Sequence, residues 1–196
     1  MMRLPNHDLH LADDQIRLRP FTESDFKLIA RWFKDPEVLH FSEGAENPNY
    51  SRAEIESIYR GAADKWDALL FVIETTDGKA VGETWLERMN LQRALKEPSD
   101  NPWRIDIMIG EKDCWGQGYG RRAVRLLLRH AFEALGADRV GAPVFEFNER
   151  SLRMFQACGM HIVRRVPDTV KRGDQRFADL DLEITREDWL SRHDDA

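Results

Sequence analysis

Apolar and polar positions along the chain change period several times. Ile16, Leu18 and Pro20 alternate with Arg17 and Arg19, which predicts a short strand. Thr22 and Asp25 resemble a capping box, and Phe26, Ile29, Ala30 and Phe33 follow at helical spacing. Asp35-Pro36 is read as the stop of that helix, since a residue before proline is biased away from helical backbone. Ser51 and Glu54 form a second capping box, with Ile55, Ile58, Tyr59 and Ala62 on one face behind it. Segments 69–75 and 80–89 are β-rich and flank an Asp77-Gly78 turn, the signal of a hairpin. Residues 90–103 are polar, carry Pro98 and Pro102, and read as a loop; the next strand is 104–109, RIDIMI.

Past that strand, Ala123, Leu126, Leu127, His130, Ala131 and Ala134 mark a strong helix that ends near Gly136. Segment 139–147 is a strand whose Pro143 calls for a bulge or an edge. Asn148 caps a short helix to about Ala157. Strands 160–166 and 177–184 follow, joined through Gly173-Asp174. The order βαα-βββ-αβ-αβ-β mixes hairpins with crossovers. It predicts an α/β (α+β) fold with a mixed, mostly antiparallel central sheet of six to seven strands and helices on both faces. No repeat interrupts it, so residues 15–196 are expected to form a single domain behind a flexible N-terminal arm, 1–14.

Composition narrows the class. With 196 residues the chain suits one domain with a real core. Lys+Arg number 29 and Asp+Glu 35, a formal charge of −6, which argues against nucleic acid as a partner. No apolar run reaches signal-peptide or membrane-span length, so a cytoplasmic protein with no membrane partner is expected. Cys114 and Cys158 are too few for a disulfide framework and read as reduced thiols. No His/Cys spacing supports a metal site.

The segment CWGQGYGRR stands between a strand and the strong helix. Gly116, Gly118 and Gly120 allow tight turns and close approach by a ligand, and main-chain N–H groups at a helix start suit an anion. Arg121 and Arg122 add positive charge. A plain flexible connection is the alternative. A Walker-type phosphate loop fits poorly, because Arg121-Arg122 stand where Lys and Ser/Thr would be required. The dinucleotide fingerprint needs a different glycine spacing.

The glycine turn with its helix resembles the CoA pyrophosphate loop of the GNAT superfamily of N-acetyltransferases. Residues 148–160, NERSLRMFQACGM, resemble that family's second signature at the right separation. The ending, from Gly173-Asp174-Gln175-Arg176-Phe177 to Arg186-Glu187-Asp188-Trp189, is similar to the branch of ribosomal-protein and spermidine acetyltransferases, with aminoglycoside N-acetyltransferases as near relatives. The likeness spans about residues 15–190. It implies acetyl-CoA as co-substrate, with no metal. Met108 and Ile109 would supply main-chain contacts to pantetheine and the thioester. Gln117, Gly118, Tyr119, Gly120 and Arg121 would surround the pyrophosphate, and Asn148 would face the pantetheine arm. Two positions depart from the pattern: Trp115 replaces a usual Gln or Arg, and Phe155 replaces the tyrosine that serves as general acid.

Transfer to an amine needs a base, because an alkyl ammonium titrates near pKa ~10. Asp106, an acid in an apolar strand, is the expected base, at the position of a proposed carboxylate in related aminoglycoside and polyamine enzymes. The competing reading is a structural partner of Arg104. Glu83, Trp85 and Glu87 share a strand face and are expected to bind a cationic acceptor, or else to form a solvated face. Glu43 and Glu46 in the 40–50 loop are candidates to close over the acceptor, and Trp103 is lid or packing. His40, His130 and Cys158 read as structural; Cys114 lacks an activating base, and Tyr119 sits in the CoA turn rather than at the reacting end.

The leading expectation is acetyl transfer to a primary amine of a small cationic acceptor, aminoglycoside or polyamine-like, by direct attack in a ternary complex. The alternatives are a ribosomal-protein type N-terminal acetyltransferase and a non-catalytic acyl-CoA-binding module, the latter resting on Phe155. A homodimer is compatible with the family.

Overall fold

The computed structural model describes residues 4–44, 49–96 and 100–192. Eight strands form one sheet: β1 (Leu11–Ala12), β2 (Ile16–Pro20), β3 (Ala68–Thr75), β4 (Ala80–Arg88), β5 (Pro102–Ile109), β6 (Arg139–Phe145), β7 (His161–Arg172) and β8 (Gln175–Thr185). Six α-helices accompany them: α1 (Phe26–Trp32), α2 (Pro36–Ser42), α3 (Arg52–Ala63), α4 (Tyr119–Glu133), α5 (Glu149–Ala157) and α6 (Arg186–Ser191). The strand order is β1-β2-β3-β4-β5-β6-β8-β7, and every pairing is antiparallel except β5 with β6.

Helices cover both faces, as the pattern implies. The β3 run ALLFVIET is apolar on both sides because both sides are covered. Leu70 and Val72 pack with Phe26, Ile29 and Tyr59 of α1 and α3. Phe71 and Ile73 join the core containing Leu127 and Phe132 of α4.

Two expectations are corrected. The eighth strand lies within the stretch read as a flexible arm. Leu4 is buried, Asn6 Nδ2 donates to the Ala68 carbonyl at 2.6 Å, and Leu11–Ala12 pair with Leu18 and Arg17. These anchors use main-chain carbonyls and isolated side chains, which leave no periodic trace. Asp35-Pro36 does not only stop a helix; it starts α2. Asp35 Oδ1 accepts from the N–H of Glu37 at 2.9 Å, and Pro36 sits at the first helical position, where no N–H is needed.

The feature that positions the site is a short seam. β5 and β6 pair only over Pro102–Arg104 and Arg139–Gly141. Beyond it the two strands diverge, so the β5 segment 105–109 has no strand partner on that side, although β4 pairs along its other edge. Pro143 stands past the seam on the open edge of β6, where its missing N–H leaves no ladder bond unmade.

Candidate active site

Two cavities open in the wedge beyond the seam. They share Phe41, Ser42, Ile107, Met108, Asn148 and Ser151 as lining, so they adjoin at those residues.

The first, about 340 Å³, lies between the end of β5, the glycine turn and α5. Gly116 and Gly118 have φ of 78° and 87°, the left-handed region that favours glycine, and Gly118 is the residue before α4. A Cβ on Gly120 would lie 2.9 Å from Met154 Sδ, so this glycine lets α4 and α5 approach. Met108, Ile109, Gly118, Tyr119, Gly120, Arg121 and Asn148 all line this cavity. Gln117 does not; its side-chain amide folds back to donate to the Asp113 carbonyl at 2.5 Å. Arg122 is also drawn away, to Asp13 at 2.9 Å and Asp14 at 2.7 Å.

Positive charge arrives instead from α5. Arg150 and Arg153 line the cavity beside Arg121. The Arg150 guanidinium lies 3.8 Å from the Trp115 ring centroid and 4.8 Å from that of Phe41. Trp115 donates its Nε1–H to the Ile109 carbonyl at 2.6 Å, which ties the glycine turn to β5. The tryptophan that departs from the family pattern thus acts as a platform for a cation from another helix. Three guanidiniums around glycine-rich backbone at a helix start fit a diphosphate ligand such as that of CoA.

The second cavity, about 390 Å³, lies between α3, the sheet face and the strap 90–96. Glu43, Glu83, Asp106 and Asp179 line it, against Arg93 and Arg104. Glu83 is 9% exposed and pairs in register with Met108. Burial pushes its pKa up to about 8; the Tyr59 O–H opposes this, and the Asp106 charge adds to it. The neighbouring Tyr59 phenol is itself driven up by burial and by the Glu83 charge. Glu83 Oε2 and Trp85 Nε1 are buried without a hydrogen-bond partner, and the Trp85 ring packs edge-on to Tyr59 at 5.0 Å.

Asp106 sits in different surroundings. Its Oδ2 accepts from Arg104 Nε at 2.8 Å and Nη2 at 2.5 Å, and its side chain is 35% exposed. The partner of the structural reading is therefore present, and the desolvated carboxyl is at Glu83. Glu87 does not face the acceptor space. It is buried between Lys65 at 3.2 Å and Arg104 at 3.3 Å, and is absent from the cavity lining.

Among the remaining candidates, Glu43 lines the cavity and accepts from the Tyr50 hydroxyl at 2.8 Å; burial raises its pKa. Arg172 holds the end of α2 in place through the carbonyls of His40, Glu43 and Gly44. Glu46 and Pro98 lie outside the described residues. Trp103 is core packing, with its Nε1–H donated to Asn101 at 3.0 Å. Asn148 caps α5 through Ser151 N–H and donates to the Phe41 carbonyl, at 3.1 Å each, so it ties α5 to α2 at the junction of the cavities. Phe155 is buried and lines the second cavity. Burial raises both thiols, Cys158 to about 11, so neither is poised as a nucleophile.

Sequence reasoning missed Asp179, Tyr59 and Arg150. The strict alternation in β8, ADLDLEI, was the available signal for Asp179. Among the described residues no helix is long and apolar enough to cross a membrane, and no group of three or more His, Cys, Asp or Glu is placed to hold a metal.

The sheet is splayed, with a glycine turn and three guanidiniums on one side of the wedge and an acidic cavity on the other. Residues 15–161 match the model of the acetyltransferase (GNAT) domain, and the chain belongs to that family. That family is one of acetyltransferases. An uncharacterised protein of Methanocaldococcus jannaschii is 27% identical over 147 residues, covering 75% of this chain but 28% of that protein. The chain therefore spans under a third of that relative's length. An N-acetyltransferase 9-like protein of Nematostella vectensis is 23% identical over 189 residues, 92% of this chain and 93% of the other. In fold, the chain resembles the spermidine N-acetyltransferase of Vibrio cholerae solved with CoA and spermine. The TM-score is 0.75 at 18% identity, over 91% of this chain and 99% of that one.

Proposed function

We propose that the protein acetylates a primary amine of a small cationic acceptor, polyamine or aminoglycoside-like, with acetyl-CoA, by direct attack in a ternary complex. The observation that carries this reading is Glu83: a buried carboxyl with an unpartnered oxygen, in a cavity that adjoins the glycine-turn cavity.

Gly118, Gly120, Arg121, Arg150 and Arg153 would hold the anionic end of CoA. Met108 and Ile109, on the open edge of β5, would meet the pantetheine and thioester, with Asn148 at the junction. Acetyl-CoA supplies the activated acyl group. Glu83 takes a proton from the acceptor ammonium, freeing the nitrogen lone pair. That pair forms the C–N bond, and the C–S electrons leave with sulfur. The second nitrogen-bound proton passes to solvent or to the thiolate. With Phe155 in place of tyrosine, water is the donor to a thiolate whose thiol pKa is only about 8–9. In this reading Glu83 replaces Asp106 as base, because a base for an amine needs a raised pKa. Asp106 and Trp85 contribute negative charge and an aromatic wall. Leu91 and Arg93 of the strap close one side of the cavity, which favours a small acceptor over a peptide in an open groove.

Thiol release from acetyl-CoA against polyamines, aminoglycosides and peptides with free N-termini tests this. Release with a small polycation, lost in Glu83→Gln, is expected. Release only with peptides, or acetyl-CoA binding without release for any amine, would overturn it.

A further inference from the structure

Among the described residues, five buried side-chain polar atoms have no hydrogen-bond partner, and four belong to residues that line the acceptor cavity: Ser42, Glu83, Trp85 and Asp179. Buried polar groups are normally satisfied, so a concentration of orphans in one cavity marks where a ligand's own groups belong. Two of the four are carboxylate oxygens, and they come from different strands.

Asp179 is on β8. Its neighbour Leu180 enters the core on the α4 side and Ala178 is buried, so Asp179 faces the strap. Arg93 reaches it from the strap, with Nη2 3.2 Å from Oδ2. The same guanidinium makes a bidentate pair with Asp181 at 2.9 and 3.0 Å. One cation between two carboxylates leaves a negative charge in excess, and Asp179 Oδ1 stays buried and unpartnered. Asp181 does not line the acceptor cavity; Asp179 does.

The sheet register sets the two acids opposite each other. The seam ends at Arg104 of β5 and Gly141 of β6. Met108, four residues beyond, pairs with Glu83; Phe145, four residues beyond, pairs with Asp179. Glu83 and Asp179 therefore stand at one level on the two arms of the wedge. Three strand spacings of about 4.8 Å put β4 and β8 about 14 Å apart, and divergence only widens this. With both side chains upright on the sheet, allowing about 3 Å for each ammonium–carboxylate contact leaves about 8 Å between the two bound nitrogens.

We propose that the acceptor is held at two points, the reacting nitrogen at Glu83 and a second ammonium at Asp179, so that the protein selects diamines and polyamines of sufficient reach over monoamines. This rests on the amine-acetylation reading above. An extended chain of ~1.5 Å bonds advances about 1.25 Å per bond, so about seven bonds between nitrogens span that distance. 1,6-Diaminohexane and the ends of spermidine meet that requirement, and 1,4-diaminobutane falls short.

The test is kcat/KM for α,ω-diamines from four to ten carbons, with spermidine, and with n-alkylamines of matched length. The expected wild-type profile rises at least tenfold between the four- and six-carbon diamines and stays flat for the monoamines. Asp179→Asn should remove that rise and leave the monoamines within twofold; Asp179→Ser repeats the test, and thermal melting confirms that both fold. Equal loss for diamines and monoamines would assign Asp179 a structural role and overturn the proposal. A wild-type enzyme that acetylates diamines and monoamines alike would overturn it too, while sparing the functional reading. Binding of acetyl-CoA with no turnover of any amine would overturn the functional reading and this proposal with it.

Discussion

Glu83→Gln separates the consequences of a buried base from those of a buried structural acid. Glutamine keeps the shape and removes the charge. In the unfolded chain the carboxyl titrates near 4.5; in the fold it titrates at about 8. The folded protein therefore binds the proton more tightly between those values. The stability this provides is complete below about pH 4.5, declines as pH rises, and is gone above about pH 8. At 1.36 kcal/mol per unit, the displacement corresponds to at most about 5 kcal/mol. Glutamine never ionises, so Glu83→Gln should be close to wild type in stability at pH 5 and more stable at pH 9. For a chain of this size each kcal/mol moves the melting midpoint by about 2–4 °C, so a gain of several degrees is expected at pH 9. Turnover should fall by about 10²–10⁴, and the rise of wild-type kcat through about pH 8 should disappear. Thermal melting at the two pH values and a pH–rate profile check both halves. A melting difference independent of pH, with turnover retained, would refute the argument.

Arg150→Gln removes the cation stacked on Trp115 and should raise KM for acetyl-CoA about tenfold with kcat within twofold; an unchanged KM would remove Arg150 from the cofactor site. Phe155→Tyr should change kcat by less than about tenfold, because the CoA thiolate leaves without much help; a larger gain would show that an acid is needed. Gly82→Ala should cost about 3 kcal/mol or more, since its Cβ would lie 2.3 Å from the Met108 carbonyl and push β4 from β5. Denaturant unfolding measures that, and a loss under about 1 kcal/mol would contradict it.

Local chemistry was readable in the chain where one short segment carries it. The glycine turn, the Asn148 cap and the Ser51 capping box all stand where spacing put them. What depends on distant partners was not readable. Glu83 and Glu87 share a strand face, and nothing in the sequence says that Lys65 and Arg104 neutralise one and not the other. Asp106 beside Arg104 was legible as either pair or base, and only its exposure distinguishes them from the desolvated Glu83. The β8 alternation announced Asp179, Asp181 and Glu183 as one row. Which of them reaches the acceptor cavity depends on where the β5–β6 seam ends, a property of the assembled sheet.

On the proposed reading, that seam would make ligand binding partly an act of folding. Three paired residues join two otherwise well-laddered half-sheets, and the backbone beyond them has unused hydrogen-bonding capacity facing an open wedge. A pantetheine arm in that wedge would work as mortar, and mass action would add RT ln(1 + [L]/Kd) to the stability of the whole domain. The amides of 105–109 that point into the wedge should be the ones whose hydrogen exchange slows most on loading. Their neighbours that face β4 are already paired and should report little. On the proposed reading, the sheet is one whose last course its substrate would lay.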